Sequence, residues 1–299
     1  MSTINVDIVL PQSAPRVTVG GAIIEYDANR NLAIGENISD LITNYDNTIV
    51  GNNAMIVATA ASNNTAIGAN VMNAATTAAS NVGIGHSVLS SLTVGGENVA
   101  IGSGAMIDSV NGVSNVAIGT AAFSSGVSGS NNVAVGRSAG TATDGSNNVY
   151  IGTRAAHLQT SGTNNITIGY EALNTTNTVS NQITLGNSSH NLLRCAVTSI
   201  TSLSDARDKS NVEDSTYGLE VVKSLRPVTF EWDTRDGAKK GVKDLGFIAQ
   251  ELQSVDNEHL GLVYDENPEK LEATYGRLIP VLVKAIQELT AKVEALEAK

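Results

Sequence analysis

The chain has 299 residues, 41% of them hydrophobic, with one cysteine, one tryptophan and a formal net charge of −11. The charge is spread evenly: five arginines against ten carboxylates before Ser204, and thirteen basic against nineteen acidic side chains from there on. With no basic stripe, phosphate-led nucleic-acid binding is excluded, and a single cysteine excludes an internal disulfide or a Cys-rich metal site.

Residues Met1 to Gln12 lack the basic start and apolar run of a signal peptide, and no apolar stretch approaches the ~18 residues of a membrane helix. These features predict a chain made soluble in a cytoplasm, with no membrane insertion. Residues 1–30, with Pro11, Pro15 and Gly20-Gly21, are unlike the rest of the chain and are expected to form an attachment segment.

From residue 31 to 190 the sequence is periodic. Ten glycines, Gly35, Gly51, Gly68, Gly85, Gly102, Gly119, Gly136, Gly152, Gly169 and Gly186, recur every 16 or 17 residues, often closing the phrase Asn-Val-Ala-Ile-Gly. A fixed period of this size means a stacked solenoid. In Asn132-Val133-Ala134-Val135-Gly136 the valines point one way and the alanine the other, which is strand alternation. A second apolar stretch begins three residues after each glycine (Ala54, Val71, Val88, Ala105, Ala122, Ala139, Ala155, Ala172), often followed by a larger residue such as Met55, Met72 or Phe123. The glycine suits a corner closed to other residues. The recurrent Asn can bond the backbone there or stack as a ladder along the axis. A few Val, Ile and Ala per coil, at ~25 cal/mol per Å2, barely offset the ordering of each coil, so association of several chains is expected to supply further burial.

These phrases resemble the head repeats of trimeric autotransporter adhesins, and similar repeats of phage tail fibres. The resemblance covers residues 31–190 and implies a trimeric left-handed β-roll; the 17-residue spacing is longer than the commonest adhesin coil.

Residues 191–203 read as a connector holding Cys195 in an apolar run, where it is expected to be a small buried hydrophobe. Residues 204–299 have a different composition and contain Trp232. The phrases Ser204-Asp205-Ala206-Arg207-Asp208-Lys209, Leu225-Arg226-Pro227-Val228-Thr229-Phe230-Glu231-Trp232 and Gly246-Phe247-Ile248-Ala249-Gln250-Glu251-Leu252 precede an amphipathic helix from Tyr275. This order resembles the C-terminal intramolecular chaperone of phage tail spikes, endosialidases and neck appendages, a self-cleaving peptidase domain; Asp208 departs from its usual leucine. The resemblance implies that Ser204 is the nucleophile and Lys209 its general base. Ser204 would attack the carbonyl of Leu203 and break the Leu203–Ser204 bond once per chain, a single turnover. A lysine does this when desolvation or a nearby cation lowers its pKa, and Arg207 is the candidate cation. The alternative is a solvated turn in which Ser204 caps a short helix.

In the tail, Tyr275, Leu278, Leu282, Ala285, Leu289 and Leu296 follow three-four spacing, with Lys292 interrupting and Val293 beside it. That is about three heptads of coiled coil, or a helix packed on its own domain. Such a helix can gather chains before the non-local solenoid winds.

Other candidates are sparse. His86, His157, His190 and His259 lack metal-ligand spacing, and Gly102-Ser103-Gly104 lacks the context of a nucleotide loop. Neither metal nor cofactor is expected. The array carries seven carboxylates, Glu36, Asp40, Asp46, Glu97, Asp108, Asp144 and Glu171, with no obvious glycosidase pair. Asn/Ser/Thr side chains with Tyr150 or Tyr170 are candidate glycan contacts.

The resulting expectation is a mainly β protein: a trimeric β-roll shaft followed by a small α+β chaperone domain ending in a long helix. The resemblance implies a homotrimeric phage tail fibre or appendage. It would be assembled in the host cytoplasm, joined to a tail or baseplate protein through residues 1–30, and bind a glycan or protein receptor on the host. A surface-polysaccharide depolymerase and a bacterial trimeric adhesin are the alternatives. The first would need a separate catalytic domain; the second conflicts with the missing signal peptide and membrane barrel.

Overall fold

The computed structural model describes residues 16–19, 22–26, 29–38, 45–190, 192–194, 202 and 204–299. The chain divides into two compact units, Met1–Asn187 and Ser188–Lys299. It is mainly β, a β-solenoid followed by small sheets and a long C-terminal helix.

Among the described residues, the first unit is one sheet whose twelve strands lie in sequence order. Strands β1 (Arg16–Val19) and β2 (Ala22–Tyr26) run antiparallel to each other, and β2 is antiparallel to β3 (Leu32–Gly35). From β3 on, every neighbour is parallel. The strands are β4 (Thr48–Val50), β5 (Thr65–Ala69), β6 (Val82–His86), β7 (Val99–Ile101) and β8 (Val116–Ile118). The remaining ones are β9 (Val133–Val135), β10 (Val149–Ile151), β11 (Ile166–Ile168) and β12 (Ile183–Leu185). Equivalent positions stack in register, as in Ala117↔Ala134↔Tyr150. By turning antiparallel, β1 and β2 cover the first edge of the parallel sheet, an edge that would otherwise offer unpaired backbone groups.

The glycine period has two physical causes. Gly119 has φ +135°, a region that L side chains rarely adopt. A Cβ built there would also lie 2.6 Å from the carbonyl oxygen of Gly136 on the next coil. The asparagines do both things open to them: they stack as a ladder and they bond backbone. Asn98 Nδ2 donates to Asn81 Oδ1 at 2.9 Å and to the Gly112 carbonyl at 2.8 Å, while its own Oδ1 accepts the Asn115 N–H at 2.9 Å. These amides are fully buried and fully used.

The middle residue of each strand faces inward: Ala33, Ile49, Ala66, Ala100, Ala117, Ala134, Tyr150 and Thr167 are all buried. The corner residues Ala54 to Ala172 and the larger side chains Met55, Met72, Leu89, Met106 and Phe123 fill the rest of the core. Large side chains take the space that two glycines leave open. Val71 and Met72 lie where a Cβ on Gly83 would stand, and Tyr150 lies where one on Gly140 would stand. The first and third strand residues, Val and Ile in most coils, face outward and are about two-fifths exposed at Ile118 (38%) and Ile151 (40%).

In the second unit, helix α1 (Leu219–Ser224) precedes the antiparallel pair β13 (Val228–Asp233) and β14 (Lys240–Gly246). Helix α2 (Ala249–Gln253), the short pair β15 (Val263–Tyr264) and β16 (Glu272–Ala273), and helix α3 (Leu278–Glu297) complete it. Leu252, Leu260, Leu262, Leu278 and Val281 form its core. Arg226 grips Glu251 on α2, and Glu288 of α3 accepts the Leu219 N–H at 2.9 Å, capping α1 from outside. A Cβ on Gly218 would collide with that carboxylate.

The tail seam needs correction. Tyr275 lies in a 3-10 turn (Tyr275–Arg277), so α3 begins at Leu278, with Pro280 in its first turn, where the ring is tolerated. Leu278, Val281 and Ala285 are buried against their own unit. A different series is exposed: Ile279 (64%), Leu282, Ile286 (62%), Leu289, Val293 and Leu296. These six alternate three and four residues apart throughout, so the expected series mixed two faces of one helix.

Candidate active site

The Ser204 region is organised by Asp205. This residue, not Ser204, caps the 3-10 turn Ala206–Asp208, its Oδ1 accepting the Arg207 N–H at 2.9 Å. The turn closes through the Lys209 N–H and the Ala206 carbonyl at 3.2 Å, and so brings residue 209 back over residue 204. Lys209 Nζ donates to Ser204 Oγ at 2.6 Å and to the Ser204 carbonyl at 3.2 Å. Nucleophile and base candidates are thus in direct contact, the first geometric requirement for activating a serine.

Arg207 is directed at Asp205. Its Nε donates to Oδ1 at 3.0 Å and its Nη2 to Oδ2 at 2.6 Å. The guanidinium holds the Asp205 carboxyl below the usual carboxylate range, and the carboxylate raises Arg207 in turn. The cation assigned to Lys209 therefore carries its own counter-charge. Ser204, Asp208 and Lys209 are exposed in the single chain, and Leu203 and Cys195 lie outside the described residues.

The other candidates are dispersed. Asp46 binds Arg30, Asp144 Oδ1 accepts the Val127 N–H at 2.7 Å, and Glu171 Oε1 meets Arg154 Nη1 at 3.2 Å. Among the described residues no three His, Cys, Asp or Glu side chains could hold a metal, and no helix is long and apolar enough to cross a membrane. Tyr150 cannot contact a glycan: its ring is buried in the solenoid core, in the slot that Ala117 and Ala134 fill on the two preceding coils. Burial pushes its phenol up to about 12, the Thr143 hydroxyl beside it offsetting only part. Tyr170 is 58% exposed.

Two functional features were not anticipated. The Asp205 cap was legible in the Asp-x-Arg phrase, because Asp is a strong N-cap former. The exposed seam of α3 was not separable by spacing from the buried face, because Leu278 and Ala285 fit a heptad as well as Ile279 and Ile286 do.

No curated protein and no solved structure matches the chain. A family model does: residues 204–261 match the chaperone of endosialidase. The match begins at the candidate nucleophile and ends before α3. Over those residues, behind a β-solenoid, the chain is similar to the chaperone of endosialidase.

Proposed function

We propose that the chain is the subunit of a homotrimeric, receptor-binding phage tail fibre or appendage whose C-terminal unit is an assembly chaperone removed by self-cleavage before Ser204. The observation that carries this reading is that each unit leaves an apolar stripe unpartnered: the outward Val/Ile face of the sheet, and the exposed α3 seam. Joining copies through α3 sets their register before the solenoids form. Residues 1–30 then join the fibre to a tail or baseplate protein, and the solenoid meets a host glycan or protein.

In the cleavage step, neutral Lys209 takes the Ser204 Oγ proton while Oγ bonds to the carbonyl carbon of Leu203. The carbon–nitrogen bond to Ser204 breaks, and its nitrogen leaves with the proton that Lys209 returns. Water hydrolyses the ester, leaving a carboxylate on Leu203 and a free amine on Ser204. A neutral lysine is favoured by desolvation, and a neighbouring copy covering the exposed dyad would supply it. Ser204→Ala and Lys209→Ala are each expected to leave one full-length band on a denaturing gel. Cleavage at this bond in both variants would refute the dyad.

A dimer is the second reading. Ile279, Ile286 and Val293 at one heptad position with Leu282, Leu289 and Leu296 at the other is the pattern that favours two strands in isolated parallel coiled coils. Native mass separates the two.

A further inference from the structure

Between residues 31 and 187 there is no lysine, and the arginines are Arg137 and Arg154 alone, against seven carboxylates. Both cations stand at the corner following the glycine, on consecutive coils: the Arg154 N–H donates to the Arg137 carbonyl at 2.8 Å. On the next coil the same corner carries Tyr170, 58% exposed, and Glu171. Parallel strands are ~4.8 Å apart, so Arg137 and Tyr170, two coils apart in one column, are separated by about 10 Å along the axis.

The electrostatics of these corners are uneven. Glu171 occupies Nη1 of Arg154 at 3.2 Å, and His157 Nε2 lies 2.9 Å from its Nη2. Arg137 is exposed and makes no ion pair among the described residues. The rest of the solenoid, being acidic, repels an anion and leaves this corner as the place to receive one. A planar guanidinium fork suits a carboxylate, and an exposed tyrosine ring offers a flat apolar face with a polar tip. Thr153, between them in the column, adds a hydroxyl.

We infer that the Arg137–Thr153–Tyr170 corner is a binding site for an acidic saccharide of the uronic-acid class, its carboxylate on Arg137 and a sugar ring against Tyr170. This rests on the host-attachment reading only for its biological setting; the binding itself is measurable without it.

The test uses the full-length chain with an alginate oligosaccharide, a dextran of equal length and inorganic polyphosphate. Alginate is expected to bind in a salt-sensitive manner and dextran not to bind. Arg137→Ala is expected to weaken alginate binding by about tenfold or more, and Tyr170→Ala by about fivefold, with thermal unfolding unchanged. Absence of alginate binding, or binding indifferent to both variants, overturns the inference. Polyphosphate binding equal to alginate and indifferent to Tyr170→Ala shows a bare cation site and also overturns it. Adsorption to host cells separates the two proposals. Wild-type adsorption that both variants retain removes this site from attachment and leaves the attachment reading standing. Absence of wild-type adsorption removes that reading and leaves the saccharide result to stand on the purified protein.

Discussion

The two units close their interiors differently. In the solenoid, a single chain buries its inward side chains completely, strings its asparagines into one hydrogen-bonded ladder and stacks glycine on glycine. In the C-terminal unit, five side chains make the buried core, and α3 leaves seven large apolar residues facing water, the six of the seam and Val283 beside it. A coil thus fills its interior once its neighbours are in place, though its outward Val/Ile face stays part-exposed, whereas in the C-terminal unit the long α3 seam is left unpartnered. Each coil buries its residues only against a neighbour, so its stability is a property of the stack and not of the single coil.

The sharpest way to break this contrast is Gly119→Val. The added side chain meets the Gly136 carbonyl and demands a φ that valine avoids. The solenoid is expected to lose its folded baseline in circular dichroism and become protease-sensitive, while residues 204–299 stay protected. An intact solenoid would show that stacking tolerates a side chain there. Next in size, Tyr150→Ala is expected to cost about 3–5 kcal/mol in denaturant unfolding. Gly140→Met should also destabilise, and the double variant should recover much of the loss, because the large and small partners have been exchanged. Strict additivity would argue that the two do not share one space.

A pH effect sharpens the same point. The phenol of Tyr150, raised from 10 to about 12, favours its neutral form in the fold. Its contribution is complete below pH 10 and is lost as pH rises through about 12. The gap in unfolding midpoint between wild type and Tyr150→Phe should therefore widen across that window, in favour of the variant. The smallest expected effect lies in the other unit. Glu288→Ala removes the α1 cap and should cost about 1 kcal/mol, lowering protection of residues 219–224 in hydrogen exchange without touching the solenoid.

The period, the strands and the corner residues were legible because one physical constraint, a backbone corner too tight for a Cβ, repeats at nine of the ten periodic glycines. Which strand face is inside was not. Hydrophobicity alone would turn valine inward, but a narrow coil has room for alanine once Met72 or Phe123 fills from the corner. Tyr150 is buried for a reason ten residues away, the missing side chain of Gly140, and such pairs are not visible in periodicity. The tail seam was not legible either, because Leu278 and Ala285 satisfy heptad spacing as well as Leu282 and Leu289 do, and only the fold says which face the domain takes. Ser204 and Lys209, five apart, share no face of a regular helix. Their contact depends on one 3-10 turn capped by Asp205, so the resemblance pointed to the pair where spacing did not.

The central claim is that the C-terminal unit assembles the solenoid and is then cut away. Intact and native mass of the expressed chain, with Ile286→Asp/Leu289→Asp alongside, test it most directly. The account predicts a trimer of residues 1–203 and a fragment beginning at Ser204 for the wild type, and an uncut monomer for the double variant. A wild-type chain that stays uncut and monomeric, or a double variant that still forms cut trimers, would contradict it.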